Sequence, residues 1–226
     1  MLKLLDALKI RLQTEAQLLG FVPLATKKAE RQQKGDLPDD LDALKLVVEK
    51  CTRCELSQTR KNTVFGEGKI SPLVMFVGEA PGAEEDATGR PFVGQAGQLL
   101  TKMINAMGLA REDCYIGNVV KCRPPGNATP SFEQISACLP YLNKQITLVK
   151  PKVIVALGAT ACSALLGRRG AQVGTFRGRW HEYMGIPVLV TYHPAALLRT
   201  ETLKKFAWQD LKMVISRLGL LPSKAK

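Results

Sequence analysis

A chain of 226 residues that is 46% hydrophobic and 23% charged has the composition of an ordinary globular protein, with length for one good core and an additional arm. No apolar run reaches the roughly 18 residues of a membrane-spanning helix, and Lys3, Asp6, Lys9 and Arg11 break up the first 20 residues, which excludes a secretory signal and makes the cytoplasm the expected compartment. Thirty-two Lys and Arg against 20 Asp and Glu leave a formal charge of +12, which suits a polyanion such as nucleic acid as partner, although a basic surface with no specific ligand gives the same count.

In chain order, Leu2, Leu5, Leu8, Leu12 and Leu18 fall near helical spacing, so residues 2–20 read as an amphipathic helix. The polar stretch 26–40, with Gly35 and Pro38, reads as a linker. Together they suggest an arm over 1–44 and a folded domain over 45–226, the arm either packing on the domain or docking a partner. A helical pattern at 41–50 leads into Cys51. Apolar strand runs follow at 73–77, 114–120, 152–157 and 187–192, separated by helical patterns around 95–107, 131–149 and 159–166. That alternation implies a parallel sheet with helices on both faces. The segment 173–184 reads as a loop or hairpin inserted before the last strand.

Ligand sites of open α/β sheets form beyond the carboxyl ends of the strands. Gly78-Glu79-Ala80-Pro81-Gly82 follows the first run and His193-Pro194-Ala195 follows the last, while Asn118 falls near the end of the second. Asn118 is either a turn residue or an amide able to read a base edge, since it offers both donors and an acceptor. A single histidine is more often structural, but His193 at a strand end is aimed into a cleft. Phe92, within Gly89-Arg90-Pro91-Phe92-Val93-Gly94, either plugs the core or offers a face for stacking. The turn at 78–82 lacks the Gly-Lys-Ser/Thr ending of a Walker A loop, and Glu84, Glu85 and Asp86 would repel phosphates, so a nucleoside triphosphate is disfavoured.

Six cysteines in an intracellular chain argue for metal over disulfides. Cys51 and Cys54 form a C-x2-C pair, and Cys122 and Cys138 lie 67 and 15 intervening residues further on. Zinc, an iron–sulfur cluster and unligated core thiols are all compatible with this set. Widely separated third and fourth ligands suit a [4Fe-4S] cluster better than the twin knuckles of structural zinc. Cys114 and Cys162, among apolar neighbours, read as core thiols.

These motifs, in this order, closely resemble the family 4 (iron–sulfur) uracil-DNA glycosylases: GEAPGAEED at 78–86, TGRPFVGQAG at 88–97, NVVKCRPP at 118–125, ACLPYL around Cys138, and HPAALLR at 193–199. The resemblance runs from Cys51 to Arg199. It implies a three-layer α/β/α fold around a central four-stranded parallel sheet, and hydrolysis of the N-glycosidic bond of deoxyuridine flipped out of DNA, releasing free uracil. By that resemblance Cys51, Cys54, Cys122 and Cys138 hold a [4Fe-4S] cluster acting as a structural staple. Phe92 stacks on uracil, Asn118 bonds its pyrimidine edge, the backbone of Ala80 touches the base, and His193 donates to O2 as charge develops there. Glu79 and Glu85 shape the pocket or position water.

For the DNA surface the same resemblance implies Leu197, Leu198 and Arg199 as wedge and backbone clamp, with Lys121 and Arg123 beside Cys122 touching phosphates. Ala80 stands where family 1 enzymes carry a water-activating Asp, so a dissociative route through a stabilised uracil anion is expected. Ala195 replaces the commoner Ser of the last motif. No His occurs in 121–132, which implies turnover and not covalent trapping. A monomer is expected, with residues 1–44 available to a repair or replication partner. The rival reading, a non-catalytic iron–sulfur module that binds nucleic acid, has no use for Phe92, Asn118 and His193 at one sheet edge.

Overall fold

The computed structural model describes residues 37–222. The sequence expectations over 2–20, and most of the linker at 26–40, lie outside those residues. The first helix, α1 (Leu41–Glu49), starts from an Asp40 N-cap whose carboxylate accepts from the Ala43 amide at 2.8 Å. Leu44 and Val48 of α1 are buried in the core. The helix therefore packs as one piece with the domain, and the expected boundary between residues 44 and 45 cuts through it.

Among the described residues six strands form one sheet: β1 (Glu67–Gly68), β2 (Val74–Gly78), β3 (Tyr115–Asn118), β4 (Val153–Leu157), β5 (Trp180–Tyr183) and β6 (Ile186–Thr191), in spatial order β1-β3-β2-β4-β6-β5. The inner four are mutually parallel, as the apolar runs imply, and every residue of β2, β3 and β4 is buried. The expected four-stranded sheet gains an antiparallel strand at each edge. β5 comes from the anticipated hairpin: Met184 and Gly185 both adopt positive φ, 53° and 76°, the tight turn that reverses the chain into β6.

The alternation along each strand divides the core into two layers. Met75, Val77, Ile154, Ala156, Val188 and Val190 face α1, α4 (Phe132–Val149) and α5 (Gly158–Leu166). Val74, Phe76, Val153, Val155 and Leu189 face α3 (Gln95–Ala106) and α8 (Lys204–Leu218). Three short helices complete the fold: α2 (Ala83–Thr88), α6 (Val173–Phe176) and α7 (Pro194–Arg199). Among the described residues no helix is long and apolar enough to cross a membrane.

The C-terminal helix α8, with Ala207, Leu211, Val214 and Ile215 buried, is the one long element missing from the sequence reading. It is pinned to the end of β6 through Asp210. This fully buried carboxylate accepts from Thr191 Oγ1 at 2.7 Å and pairs with Arg177 at 2.9 Å, and Arg177 also donates to the Phe206 carbonyl at 2.7 Å. Removing one partner of a buried ion pair strands the other charge. Arg177→Met is expected to lower the unfolding free energy by about 3 kcal/mol, read from denaturant curves; a loss below about 0.5 kcal/mol would show that Asp210 needs no counter-charge.

Candidate functional site

The carboxyl ends of the four parallel strands open into a cleft of about 630 Å³, lined by Glu79, Ala80, Phe92, Asn118, Gly158 and His193 among others. Register brings them together. Gly78 lies beside Asn118 in the β2–β3 pair, and Leu157 beside Thr191 in the β4–β6 pair, so the residues that follow emerge at one level.

Gly78 is the close-packed point of this cleft. A Cβ there would lie 2.4 Å from Asn118 Oδ1 and 2.5 Å from Phe92 Cζ, so both side chains occupy the space a larger residue would need. Phe92 adopts a left-handed backbone (φ 52°), unusual for an aromatic residue. Glu85 holds it there. One carboxylate oxygen accepts from the Val93 and Gly94 amides, each at 2.9 Å, and the other from the Gly82 amide at 3.1 Å. Gly97 lets α3 start directly against this loop, since its Cβ would fall 1.8 Å from the Phe92 carbonyl oxygen. Glu85 thus commits both oxygens to backbone amides, and the geometry makes it a clamp on pocket shape.

Asn118 is 1% exposed, and its Oδ1 has no hydrogen-bond partner among the described residues. A buried amide oxygen without a donor costs about 1–3 kcal/mol, which a ligand N–H entering the cleft would recover. His193 caps α7: its Nδ1 accepts from the Ala195 amide at 3.2 Å, so the ring proton resides on Nε2. Burial, assisted by the Arg199 charge and opposed by Glu85, lowers its pKa to about 4. The ring is therefore a neutral donor at physiological pH. Its centroid lies 5.5 Å from that of Phe92 at 32°, so the two rings form adjoining walls.

Two residues unforeseen from the sequence come from the end of β4. Gly158 (φ 91°) lets the chain turn beside His193, where a Cβ would sit 3.1 Å from the histidine Cβ. Thr160 is buried and donates its hydroxyl to Glu79 Oε2. A glycine directly after an apolar run, followed by a hydroxyl in the first helical turn, is the signal that could have found them.

A second cavity is lined by Cys51, Cys54, Cys122 and Cys138 together, so the fold gathers the four cysteines expected to act as one set. Three N–H groups point at their sulfurs: the Arg53 amide to Cys51 at 3.5 Å, Arg60 Nη1 to Cys122 at 3.3 Å, and the Lys121 amide to Cys138 at 3.3 Å. Burial holds Cys138 up at about 12, which keeps it protonated unless a metal replaces the proton. Cys114 and Cys162 are buried elsewhere in the core.

Residues 65–212 match the family model of the Uracil DNA glycosylase superfamily. The chain is 49% identical over 181 residues to the type-4 uracil-DNA glycosylase of Pyrobaculum aerophilum, covering 77% of this chain and 92% of that one. It is 47% identical over 168 residues to the type-4 uracil-DNA glycosylase of Thermotoga maritima, covering 73% and 88%, and 44% identical over 193 residues to that of Saccharolobus solfataricus, covering 81% and 89%.

The chain belongs to the type-4 branch of the uracil-DNA glycosylase superfamily.

In this glycosylase the expected DNA surface needs two corrections. Lys121 is 1% exposed and donates to the Asn118 carbonyl at 2.7 Å, so it cannot reach a phosphate; burial lowers its pKa to about 8. Its backbone follows β3 inward to Cys122, which turns the side chain into the core. Leu197 is 2% exposed and packs inward, leaving Leu198 and Arg199 exposed at the end of α7. Arg123 stays partly exposed, with Nε donating to Asn127 Oδ1 at 2.7 Å.

The His193 geometry has a direct consequence in solution. Its folded-state pKa lies below the ordinary 6.5, so its contribution to stability is complete above about 6.5 and is lost as pH falls through about 4. Nitrogen chemical shifts of His193 followed by NMR should stay those of a neutral Nε2–H ring down to about pH 5, with a midpoint near 4; a midpoint near 6.5 would contradict the buried neutral donor.

Proposed function

We propose that the cleft receives a uracil base flipped out of DNA and cleaves the bond that joins it to deoxyribose. The observation that carries this reading is Asn118 Oδ1, a buried acceptor without a partner, facing the same cavity as a neutral imidazole N–H and an aromatic face. Uracil presents an N3–H donor beside two carbonyl acceptors. Its N3–H meets Asn118 Oδ1, its ring lies on Phe92, and its O2 meets His193 Nε2–H. Cytosine, with an acceptor at N3, would leave two acceptors opposed. The family comparisons carry the activity itself: relatives named type-4 uracil-DNA glycosylase match nearly their whole length.

As the C1′–N1 bond breaks, its electron pair moves into the base and negative charge gathers on O2. A fixed, uncharged donor at that oxygen stabilises the leaving anion without itself needing to titrate. The sugar becomes oxocarbenium-like, and water adds its oxygen to C1′ and loses a proton to solvent or to the departing base. Glu79, whose Oε1 takes no hydrogen bond from the described residues, is assigned to hold that water. Ala80 contributes backbone to the base contact, and Glu85 keeps Phe92 in place. Leu198 and Arg199 reach into the duplex from α7, and Arg123 faces a phosphate.

The four-cysteine cavity fits a [4Fe-4S] cluster held by Cys51, Cys54, Cys122 and Cys138. Support comes from the thiols sharing one cavity although no three, among the described residues, converge as they would on a single ion. When bound, the cluster supplies a cross-link between the α1 end, the segment after β3 and α4. The segment ahead of α1, within the arm expected over residues 1–44, is proposed to bind a repair or replication partner.

On a labelled oligonucleotide with one deoxyuridine, alkali after incubation should cut the strand at that position alone. Asn118→Ala and His193→Ala should each slow excision by about 10²–10³-fold, measured in single turnover; wild-type rates in both would remove the pocket assignment. Protein prepared without oxygen should carry iron and acid-labile sulfide in equal amounts, and Cys138→Ser should lose both together with thermal stability. Zinc in place of iron and sulfide would refute the cluster.

A further inference from the structure

The inner strands run β3-β2-β4-β6, so the chain leaves β2 towards one edge and, after β3, crosses back to the other. The reversal falls between β2 and β4, the place where open α/β sheets part to admit a ligand. One side-chain hydrogen bond spans this gap: Thr160 Oγ1 to Glu79 Oε2. Glu79 directly follows β2, and Thr160 sits in the first turn of α5, directly after β4. Glu79 is partly exposed to the cleft, while Thr160 is buried behind it at 6% exposure.

We propose that Thr160 is a positioning residue that fixes the Glu79 carboxylate for the attacking water. A glutamate has three rotatable bonds, and at a cleft wall it sweeps a wide arc unless one oxygen is held. The Thr160 hydroxyl has a single proton, and it gives that proton to Oε2. This restrains the carboxylate at one oxygen and leaves Oε1 as its other acceptor on the wall of the cleft that Glu79 lines. Because Thr160 is β-branched and packed within a helix, its own χ1 is restricted, so the restraint is stiff. The inference rests on the assignment of Glu79 to the water, and goes beyond it by naming what sets the geometry.

The test is a double-mutant cycle on the full-length protein, reading the single-turnover excision rate, the Kd for uracil-containing DNA and the Tm. Thr160→Val keeps the shape and removes the hydroxyl. It should slow excision by about tenfold to a hundredfold, in line with loss of a hydrogen bond to a charged group, while leaving Kd and Tm at wild-type values. Thr160→Ser should restore most of the rate. In a Glu79→Gln background, Thr160→Val should add no further loss. If Thr160→Val itself fails to fold, Thr160→Ala enters the same cycle. A Thr160 variant at the wild-type rate alongside an impaired Glu79→Gln overturns the positioning role and leaves the Glu79 assignment standing. Equal losses with and without Glu79→Gln mean that Thr160 acts only through packing, which also overturns it. A wild-type rate in Glu79→Gln alone removes the Glu79 assignment and the proposal with it.

Discussion

The cleft depends on an atom that is missing. At Gly78 the sheet approaches Phe92 and Asn118 so closely that even a methyl group would collide with both. Everything else in the pocket is arranged to exploit this closeness. Parallel register sets Asn118 beside Gly78. Glu85 forces the Phe92 loop into a left-handed turn, and Gly97 allows α3 to begin against that turn. The result is a flat slot, one aromatic ring on its wall and one amide at its floor, built from strand ends that the core already holds rigid.

Buried polarity is handled differently on the two sides of that slot. His193 is kept neutral by burial, so it brings a donor without a charge that would need a counter-ion. Lys121 is buried beside the Cys122 and Cys138 sulfurs and bonded to the Asn118 carbonyl. The lysine thus bridges the two sites: its amide reaches the Cys138 sulfur and its ammonium reaches the Asn118 carbonyl at the wall of the cleft. Asn118 is held from behind by a residue that also lines the cysteine cavity.

Much of this was legible in the chain. The apolar runs marked all four parallel strands, because strands covered on both faces must be apolar throughout. The cysteine spacing grouped Cys51, Cys54, Cys122 and Cys138, which line one cavity, and strand-end position grouped Glu79, Asn118 and His193, which line the cleft. What escaped had a physical reason in each case. Helix α8 spreads Ala207, Leu211, Val214 and Ile215 among Lys, Gln and Asp, so its apolar face is thin. Lys121 and Arg123 read alike as basic neighbours of Cys122, yet Lys121 folds inward onto the Asn118 carbonyl while Arg123 stays partly exposed. The Glu85 clamp depends on the Val93 and Gly94 amides, eight and nine positions on, beyond its local capping bond to Gly82, and the Thr160 contact to Glu79 spans 81 positions; neither long-range contact carries a local pattern.

Helix α7 joins two tasks in six residues. His193 caps its start and Leu198 stands near its end, about 7.5 Å further along the axis at 1.5 Å per residue. So short a helix carries the His193 N–H at one end and the exposed Leu198 at the other as a single unit. In the proposed complex, the depth to which the leucine enters the base stack and the seating of the extracted base are then one mechanical variable. Enlarging the slot for a bulkier base by shifting α7 would withdraw the leucine at the same stroke, which ties the choice of base to the integrity of the surrounding duplex.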